Sequence, residues 1–324
     1  MNPLKRFGID TYMLLLIGTV ILGVILPAQG LAAAGLKSLT YWAVSLLFFL
    51  YGLKLDPQSV RAGLLNWKLQ GLTFVATYVM FPLLGLALAP VIAPLLGDKV
   101  TLGILFLAVL PSTVQSSIAF TGIAGGNVPG AICAASLSNL VGVALTPALV
   151  ALMLHTGGGE ISLDSVIKIG VQILLPFVIG QGLRPWIGFL VARYRFVTML
   201  VDRGSILLIV YSAFSAGTVS GLWLAVPPKV LVLLYAVLLV FLAITMGLMV
   251  AAGRFLLPDR ADRAALFFCG STKSIATGLP IASALFPVVD VGAIVLPAMI
   301  YHITQLLICA FVSQRAARRL PEDA

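Results

Sequence analysis

The 324-residue sequence predicts an all-α integral membrane protein of about ten transmembrane helices in two inverted five-helix repeats. Three observations carry that expectation. Apolar residues fill the whole chain, the apolar runs divide into two sets of five, and a polar interruption recurs at corresponding places in both sets. Hydrophobic residues make up 60% of the chain, charged residues 10%, and mean hydropathy is +1.12. A soluble domain with a solvated surface does not reach these values.

A span needs about 20 apolar residues to cross a hydrocarbon core. Runs bounded by charge, Gly and Pro lie near Thr11 to Leu26, Leu39 to Leu55, Leu69 to Pro90, Leu102 to Thr121 and Val128 to Leu154. A polar break, His155 to Asp164 with Gly157, Gly158 and Gly159, then precedes runs near Ser165 to Leu183, Ser205 to Val226, Val230 to Ala252, Ala264 to Leu285 and Val289 to Val312. The chain thus divides into residues 1–154 and 155–324. An odd number of crossings reverses the second half, which is the inverted-repeat arrangement of many secondary transporters.

Charge fixes the orientation. With both termini on one face, that face gathers Lys5, Arg6, Lys54, Arg61, Lys68, Arg184, Arg193, Arg195, Arg203, Arg254, Arg260, Arg263, Arg315, Arg318 and Arg319, against Lys37, Lys99, Lys168 and Lys229 on the other. This bias predicts an inner-membrane protein with cytoplasmic termini. It also accounts for the net charge of +9 without nucleic acid as a partner; the partner is the bilayer. Lys5 and Arg6 before an apolar run, with Ala32 to Ala34 beyond it, also resemble a secretory signal. Removing that run would leave nine spans with no symmetric partition. Cys133, Cys269 and Cys309 all lie in apolar runs, where no disulfide is expected.

The matched interruptions are Pro111-Ser112-Thr113-Val114-Gln115-Ser116-Ser117 in the fourth span and Gly270-Ser271-Thr272-Lys273-Ser274, continuing to Thr277, in the ninth. Each is followed by a span with a similar opening, Val128-Pro129-Gly130-Ala131-Ile132 and Asp290-Val291-Gly292-Ala293-Ile294. A helix breaks at membrane depth only where its freed backbone groups meet protein, water or ligand. The blander reading is a proline kink with Ser and Thr bonded inside their own helices.

Lys273 is the sharpest feature, because a Lys at the bilayer centre costs about 3 kcal/mol on insertion scales. It should face the interior, and the acidic residues all fall at or beyond the expected span ends. Thr77, Asn139 and His302 are further polar residues within spans, the last two in the spans that follow the breaks. No paired-acid metal site, His-Glu-x-x-His or Gly-x-Ser-x-Gly pattern is present, so neither a cofactor nor an enzyme is expected.

In Phe49-Leu50-Tyr51-Gly52-Leu53, in Pro111 through Asn127 and in Phe268 through Ser274, the chain resembles the bile acid:sodium symporter family (solute carrier family 10 type), most closely its bile-acid-symporter-like branch. The resemblance runs over essentially the whole chain. It implies ten helices, a panel and a core domain, and crossing fourth and ninth helices near a substrate and ion site. It also implies departures at the ion ligands. A Ser-Asn pair of sodium-coupled relatives falls at Ser116 and Ser117, their fifth-helix ligands near Ala131 and Ala135, a third-helix Gln at Thr77, and a ninth-helix Glu and Gln at Cys269 and Lys273.

The combined expectation is an alternating-access secondary transporter of a small organic solute. An anion is favoured, since its carboxylate or sulfate would pair with Lys273 and half-helix N-termini. Two-sodium coupling is not expected, the ammonium of Lys273 taking the cation's place, with sodium or a proton left as possible coupling partners. The alternative is a non-transporting regulator of ion homeostasis with the same fold.

Overall fold

The computed structural model describes residues 11–54, 66–156, 163–219, 221 and 227–318. The expected break at Gly157 to Gly159, the cationic residues Lys5, Arg6, Arg61 and Arg319, and the side chains of Lys168 and Gln115 lie outside the described residues. Those described form helices and their connections, with no strand among them.

In chain order the helices are α1 (Thr11–Ile25), α2 (Gly30–Lys54), α3 (Trp67–Leu96), α4 (Asp98–Val109), α5 (Gln115–Ile123), α6 (Val128–Thr156), α7 (Leu163–Arg193), α8 (Arg195–Val219), α9 (Pro228–Leu256), α10 (Arg260–Ser271), α11 (Ile275–Leu285) and α12 (Val288–Ala317). Seven helices are long and apolar enough to cross a membrane: α2, α3, α6, α7, α8, α9 and α12. The other three expected spans are shorter or broken: α1, the pair α4 and α5, and the pair α10 and α11.

Several helices outrun the expected spans. α2 begins at Gly30, α7 continues to Arg193 through Pro185, and α8 begins at Arg195. Hydropathy marks only the stretch that lipid tolerates, whereas a helix continues into polar surroundings until its backbone finds a better partner. One consequence corrects the sequence reading. Asp202 lies well inside α8, where it pairs with Lys54 at the end of α2.

α3 contains the one π turn among the described residues, Ala76–Met80, and Pro82 explains it. A proline cannot donate to the carbonyl four residues back and its ring crowds that carbonyl, so the helix widens just before it. The Phe81 N–H reaches Ala76 O, five residues back. Thr77 O then has no backbone donor: residue 81, its α partner, is engaged, and residue 82, its π partner, is proline.

The helices form two packed groups. α1 lies on α8 and α2 on α7, with α2 also against α8. Gly52 and Gly180 set the α2–α7 spacing: a Cβ on Gly52 would run into Phe177 O, and one on Gly180 into Phe49 O. Helices α3 to α6 and α9 to α12 pack together as the second group, which holds both broken spans.

Candidate functional site

The two breaks meet. Residues 110–114 between α4 and α5 and residues 272–274 between α10 and α11 are non-helical, and the Ser274 N–H donates to Pro111 O at 2.8 Å. The expected second break began at Gly270, but Gly270 and Ser271 are still helical. Gly270 is a packing residue, since a Cβ there would meet Met249 Sδ. Gln115, Ser116 and Ser117 likewise belong to the first turn of α5 rather than to the break.

Backbone accounting shows how the first break is stabilised. Leu107 O accepts from Leu110 N at 3.2 Å, Val109 O from Thr146 Oγ1 at 2.8 Å, and Ser112 O from Asn139 Nδ2 at 2.8 Å. Ser112 N, which a continuous helix would have sent to Ala108 O, donates instead to Ser138 Oγ at 3.0 Å. Ala108 O and Leu110 O are left, and both accept from Lys273 Nζ, at 3.0 and 2.7 Å. The third Nζ bond goes to Thr77 O at 2.9 Å, the carbonyl stranded by the π turn and Pro82. Every break carbonyl from 107 to 112 therefore has a donor, as low-dielectric burial demands.

The Lys273 amine is thus held in a cage. It is 1% exposed, its three N–H groups face three carbonyl oxygens, and the Phe81 ring covers it with Nζ 4.0 Å from the ring centroid. Two of the carbonyls belong to the C-terminal end of α4, where the helix dipole presents its negative pole. The ring adds a cation–π attraction of about 0.5–2 kcal/mol. All three donors are engaged, so in this conformation the ammonium has none left for a solute carboxylate.

The lysine's own backbone is held by α12. Lys273 N donates to Gln305 Oε1 at 2.8 Å and Gln305 Nε2 donates to Lys273 O at 2.9 Å, a two-bond clamp around an extended residue. His302 Nδ1 lies 2.9 Å from Gln305 Nε2 and 3.3 Å from Lys273 O. Tyr301 OH donates to Ser271 O at 2.9 Å.

A second group of oxygens lies beside the cage. Thr272 Oγ1 is 2.8 Å from Ser117 Oγ, 3.0 Å from Thr113 Oγ1 and 3.3 Å from Ser112 Oγ. Ser116 Oγ donates to Thr113 Oγ1 at 2.8 Å, and Thr113 Oγ1 lies 2.6 Å from Ser117 Oγ. Ser112 Oγ donates to Cys269 O at 2.6 Å. On the other side of the crossing, Thr277 Oγ1 donates to Asn139 Oδ1 at 2.6 Å and lies 3.2 Å from Ser274 Oγ.

The structure therefore brings Pro111, Thr113, Ser116, Ser117, Asn139, Ser271, Thr272, Lys273, Ser274, Thr277 and His302 into one neighbourhood. Thr77 joins through its carbonyl alone, because its hydroxyl donates to Thr73 O in its own helix at 2.8 Å. Ser112 lies within the expected first break, whereas Ser138, Tyr301 and Gln305 were not among the expected site residues. Their hydroxyl and amide groups bond backbone atoms of distant segments, and their signal in the sequence is that each is a polar residue within an apolar span.

Where sodium-coupled relatives are expected to carry further ligands, the chain is apolar. Cys269 and Ala131 are both 0% exposed, with Cys269 Sγ 3.7 Å from Ala131 O, in a cluster with Leu69, Ala76, Ala134, Met249 and Leu266.

Helices long enough to span a bilayer, together with two broken ones that meet at a polar crossing, define the architecture of a membrane transporter. The chain belongs to the SBF-like CPA transporter family, which it matches over residues 10–318. It is 49% identical over 321 residues to an uncharacterized protein of Pseudomonas aeruginosa, covering 98% of this chain and 96% of that one. To the putative symporter YfeH of Escherichia coli it is 43% identical, over the same shares. It is 27% identical over 280 residues to sodium/bile acid cotransporter 7 of Danio rerio, covering 84% of this chain and 82% of the relative.

Proposed function

We propose that this protein is an alternating-access secondary transporter of a small organic anion, in which the Lys273 ammonium occupies the place of a coupling cation. The observation that carries the proposal is the cage itself: three backbone carbonyls and a ring face converge on Nζ as oxygen ligands would on a metal ion. The solute class follows from the field at the crossing. The positive ends of α5 and α11 point into it, an ammonium lies beside it, and none of the residues described there is a carboxylate.

The proposal takes the chain as ten spans in two inverted repeats, residues 1–154 and 155–324, in the cell inner membrane with both termini cytoplasmic. Helix packing supports this. Exchanging the halves maps α1 onto α7, α2 onto α8, α3 onto α9, α4 and α5 onto α10 and α11, and α6 onto α12. Under that exchange the α2–α7 contact becomes α1–α8, α3–α4 becomes α9–α10, α5–α6 becomes α11–α12, and α4–α12 becomes α6–α10, and all of these contacts are present. A cysteine at Gly158 should be modified from outside, and one at Arg318, which is exposed, from the cytoplasmic face only.

Uptake into proteoliposomes in sodium against choline medium, at several pH values, tests the coupling. The expected result is saturable transport of an organic anion that depends little on sodium and falls as rising pH removes the Lys273 proton. Steep sodium dependence would overturn the cation-replacement reading. No uptake across a broad panel of anions would overturn transport itself.

A further inference from the structure

The corner between α7 and α8 outreaches the helix it packs on. α2 ends at Lys54, which pairs with Asp202, and a Cβ on Gly188 would lie 3.7 Å from Leu53 O, so the end of α2 is level with Gly188 on α7 and Asp202 on α8. α7 runs on to Arg193, Tyr194 makes the turn, and α8 starts at Arg195. These remaining turns carry the corner about 10 Å past the end of α2, at 1.5 Å of rise per residue. The charged pair of Lys54 and Asp202 marks the edge of the hydrocarbon, which puts the corner at the depth of the lipid headgroups, a layer about 5–8 Å thick on each side.

Its surface combines two residue types that ordinarily separate. Trp186 and Phe196 are 69% and 71% exposed, and Phe189, Leu190, Tyr194 and Leu200 are exposed with them. Trp186, Phe189, Leu190 and Arg193 recur at the three- and four-residue spacing of one helix face, as do Phe196, Leu200 and Arg203. Arg193 and Arg195 are exposed on either side of Tyr194, with the Arg193 guanidinium 5.8 Å from the Tyr194 ring centre. α8 has no acid in its first turn, and the nearest acid in sequence, Asp202, is engaged by Lys54. Two guanidinium groups and the positive end of α8 therefore gather without a carboxylate to neutralise them.

The cationic corner between α9 and α10 differs. There Arg263 donates to Leu257 O and Pro258 O, Arg260 donates to Ala316 O, and Asp259 and Asp262 bring opposite charge. Those arginines serve the fold, whereas Arg193 and Arg195 make no hydrogen bond or ion pair among the described residues. A soluble anion would satisfy Arg193 and Arg195 and leave Trp186, Phe189 and Phe196 in water. Hydrocarbon would suit the rings and strand the arginines. An acidic membrane interface satisfies both, and guanidinium forks match the oxygens of a phosphodiester.

Resting on the cytoplasmic placement of this face proposed above, but not on the solute or its coupling, we propose that the α7–α8 corner binds an anionic phospholipid of the cytoplasmic leaflet. Arg193 and Arg195 hold the headgroup phosphate, and Trp186, Phe189 and Phe196 lie against the upper acyl chains.

Tryptophan fluorescence tests this. The chain has four tryptophans, so Trp42→Phe, Trp67→Phe and Trp223→Phe together leave Trp186 alone. The protein is reconstituted in phosphatidylcholine vesicles with a minor share of phosphatidylglycerol, and bromine is placed on the upper acyl chains of either the phosphatidylglycerol or an equal share of the phosphatidylcholine. Brominated phosphatidylglycerol should quench Trp186 at least about twofold more strongly than brominated phosphatidylcholine. Arg193→Gln with Arg195→Gln should bring the two to equality, and Arg260→Gln at the other corner should leave the preference intact. Equal quenching in the parent protein, or a preference that survives the double substitution, overturns the proposal. So does loss of the preference on adding inorganic phosphate at constant ionic strength, which would assign the arginines to a soluble anion. Native mass spectra give a second readout should the single-tryptophan chain not fold: the unsubstituted protein should retain more phosphatidylglycerol than the R193Q/R195Q protein, and equal retention overturns the proposal. Neither readout needs a solute, and labelling at Gly158 and Arg318 checks the topology separately, so a failure of lipid selectivity is distinct from a failure of the transporter or orientation reading.

Discussion

Gln305 Nε2 and His302 Nδ1 lie 2.9 Å apart, so the amide that holds the Lys273 backbone also touches the imidazole. Lys273 N–H requires the oxygen of the Gln305 amide on its side, so the amide nitrogen faces the imidazole. Gln305→Leu should destabilise the protein by about 2–4 kcal/mol, because it strands both the N–H and the C=O of a buried residue. His302→Phe removes one polar neighbour of the Gln305 amide and should cost less than about 1 kcal/mol. Thermal unfolding in detergent ranks the two; the opposite order would contradict the clamp.

Lys273→Met keeps an unbranched side chain, one atom shorter, and removes every donor in the cage. It should destabilise by about 3 kcal/mol, the scale for removing one partner from a buried charged pair, and abolish uptake. Lys273→Gln should recover part of the stability, since its amide can donate to two of the three carbonyls. It should not create sodium dependence, because Cys269, Ala131 and Ala135 offer no ligand side chains. Uptake by the Gln variant in sodium and choline media checks this.

Asp262 receives Asn66 Nδ2 at 2.9 Å and Asn127 Nδ2 at 2.6 Å, at the converging N-terminal ends of α3, α6 and α10. A carboxylate there satisfies two amides and opposes three positive helix ends. Asp262→Ala should cost about 1–2 kcal/mol, less at high salt. Lys99→Ala, which breaks an exposed pair with Asp290, should change stability by less than about 1 kcal/mol. Denaturation at two salt concentrations separates them.

Gly52→Ala and Gly180→Ala each drive a methyl group into a carbonyl of the facing helix and should destabilise by about 1–3 kcal/mol. Gly18 and Gly247, with nothing within 4 Å of an added Cβ, should accept Ala at no cost or with a slight gain. Thermal shifts of opposite sign in the two sets are the expected result.

The seven membrane-length helices and the neighbourhood of both breaks were legible because hydropathy and polar interruptions are local properties of the chain. The interior position of Lys273 was legible too, since neither lipid nor snorkelling suits it there. The cage was not. Its ligands are carbonyls, which every residue has, and what selects Thr77 is a proline five residues later acting through a π turn. The role of Gln305 was hidden for the same reason, as its partner is the backbone of residue 273. Asp202 was placed beyond the expected span because the apolar run begins at Ser205, while the helix begins at Arg195.

The caged ammonium also bears on the electrical balance of a transport cycle. A diffusible cation enters on one side and leaves on the other, so its gradient and the membrane voltage both drive the solute. A tethered cation makes the return journey with the protein, and its displacement cancels over a full turn. The net charge carried per cycle is then that of the solute, less any proton exchanged. In the proposed cycle, for a monovalent anion and a cytoplasm-negative membrane, about 2.3 kcal/mol per 100 mV opposes entry and assists exit, so the membrane voltage would favour export.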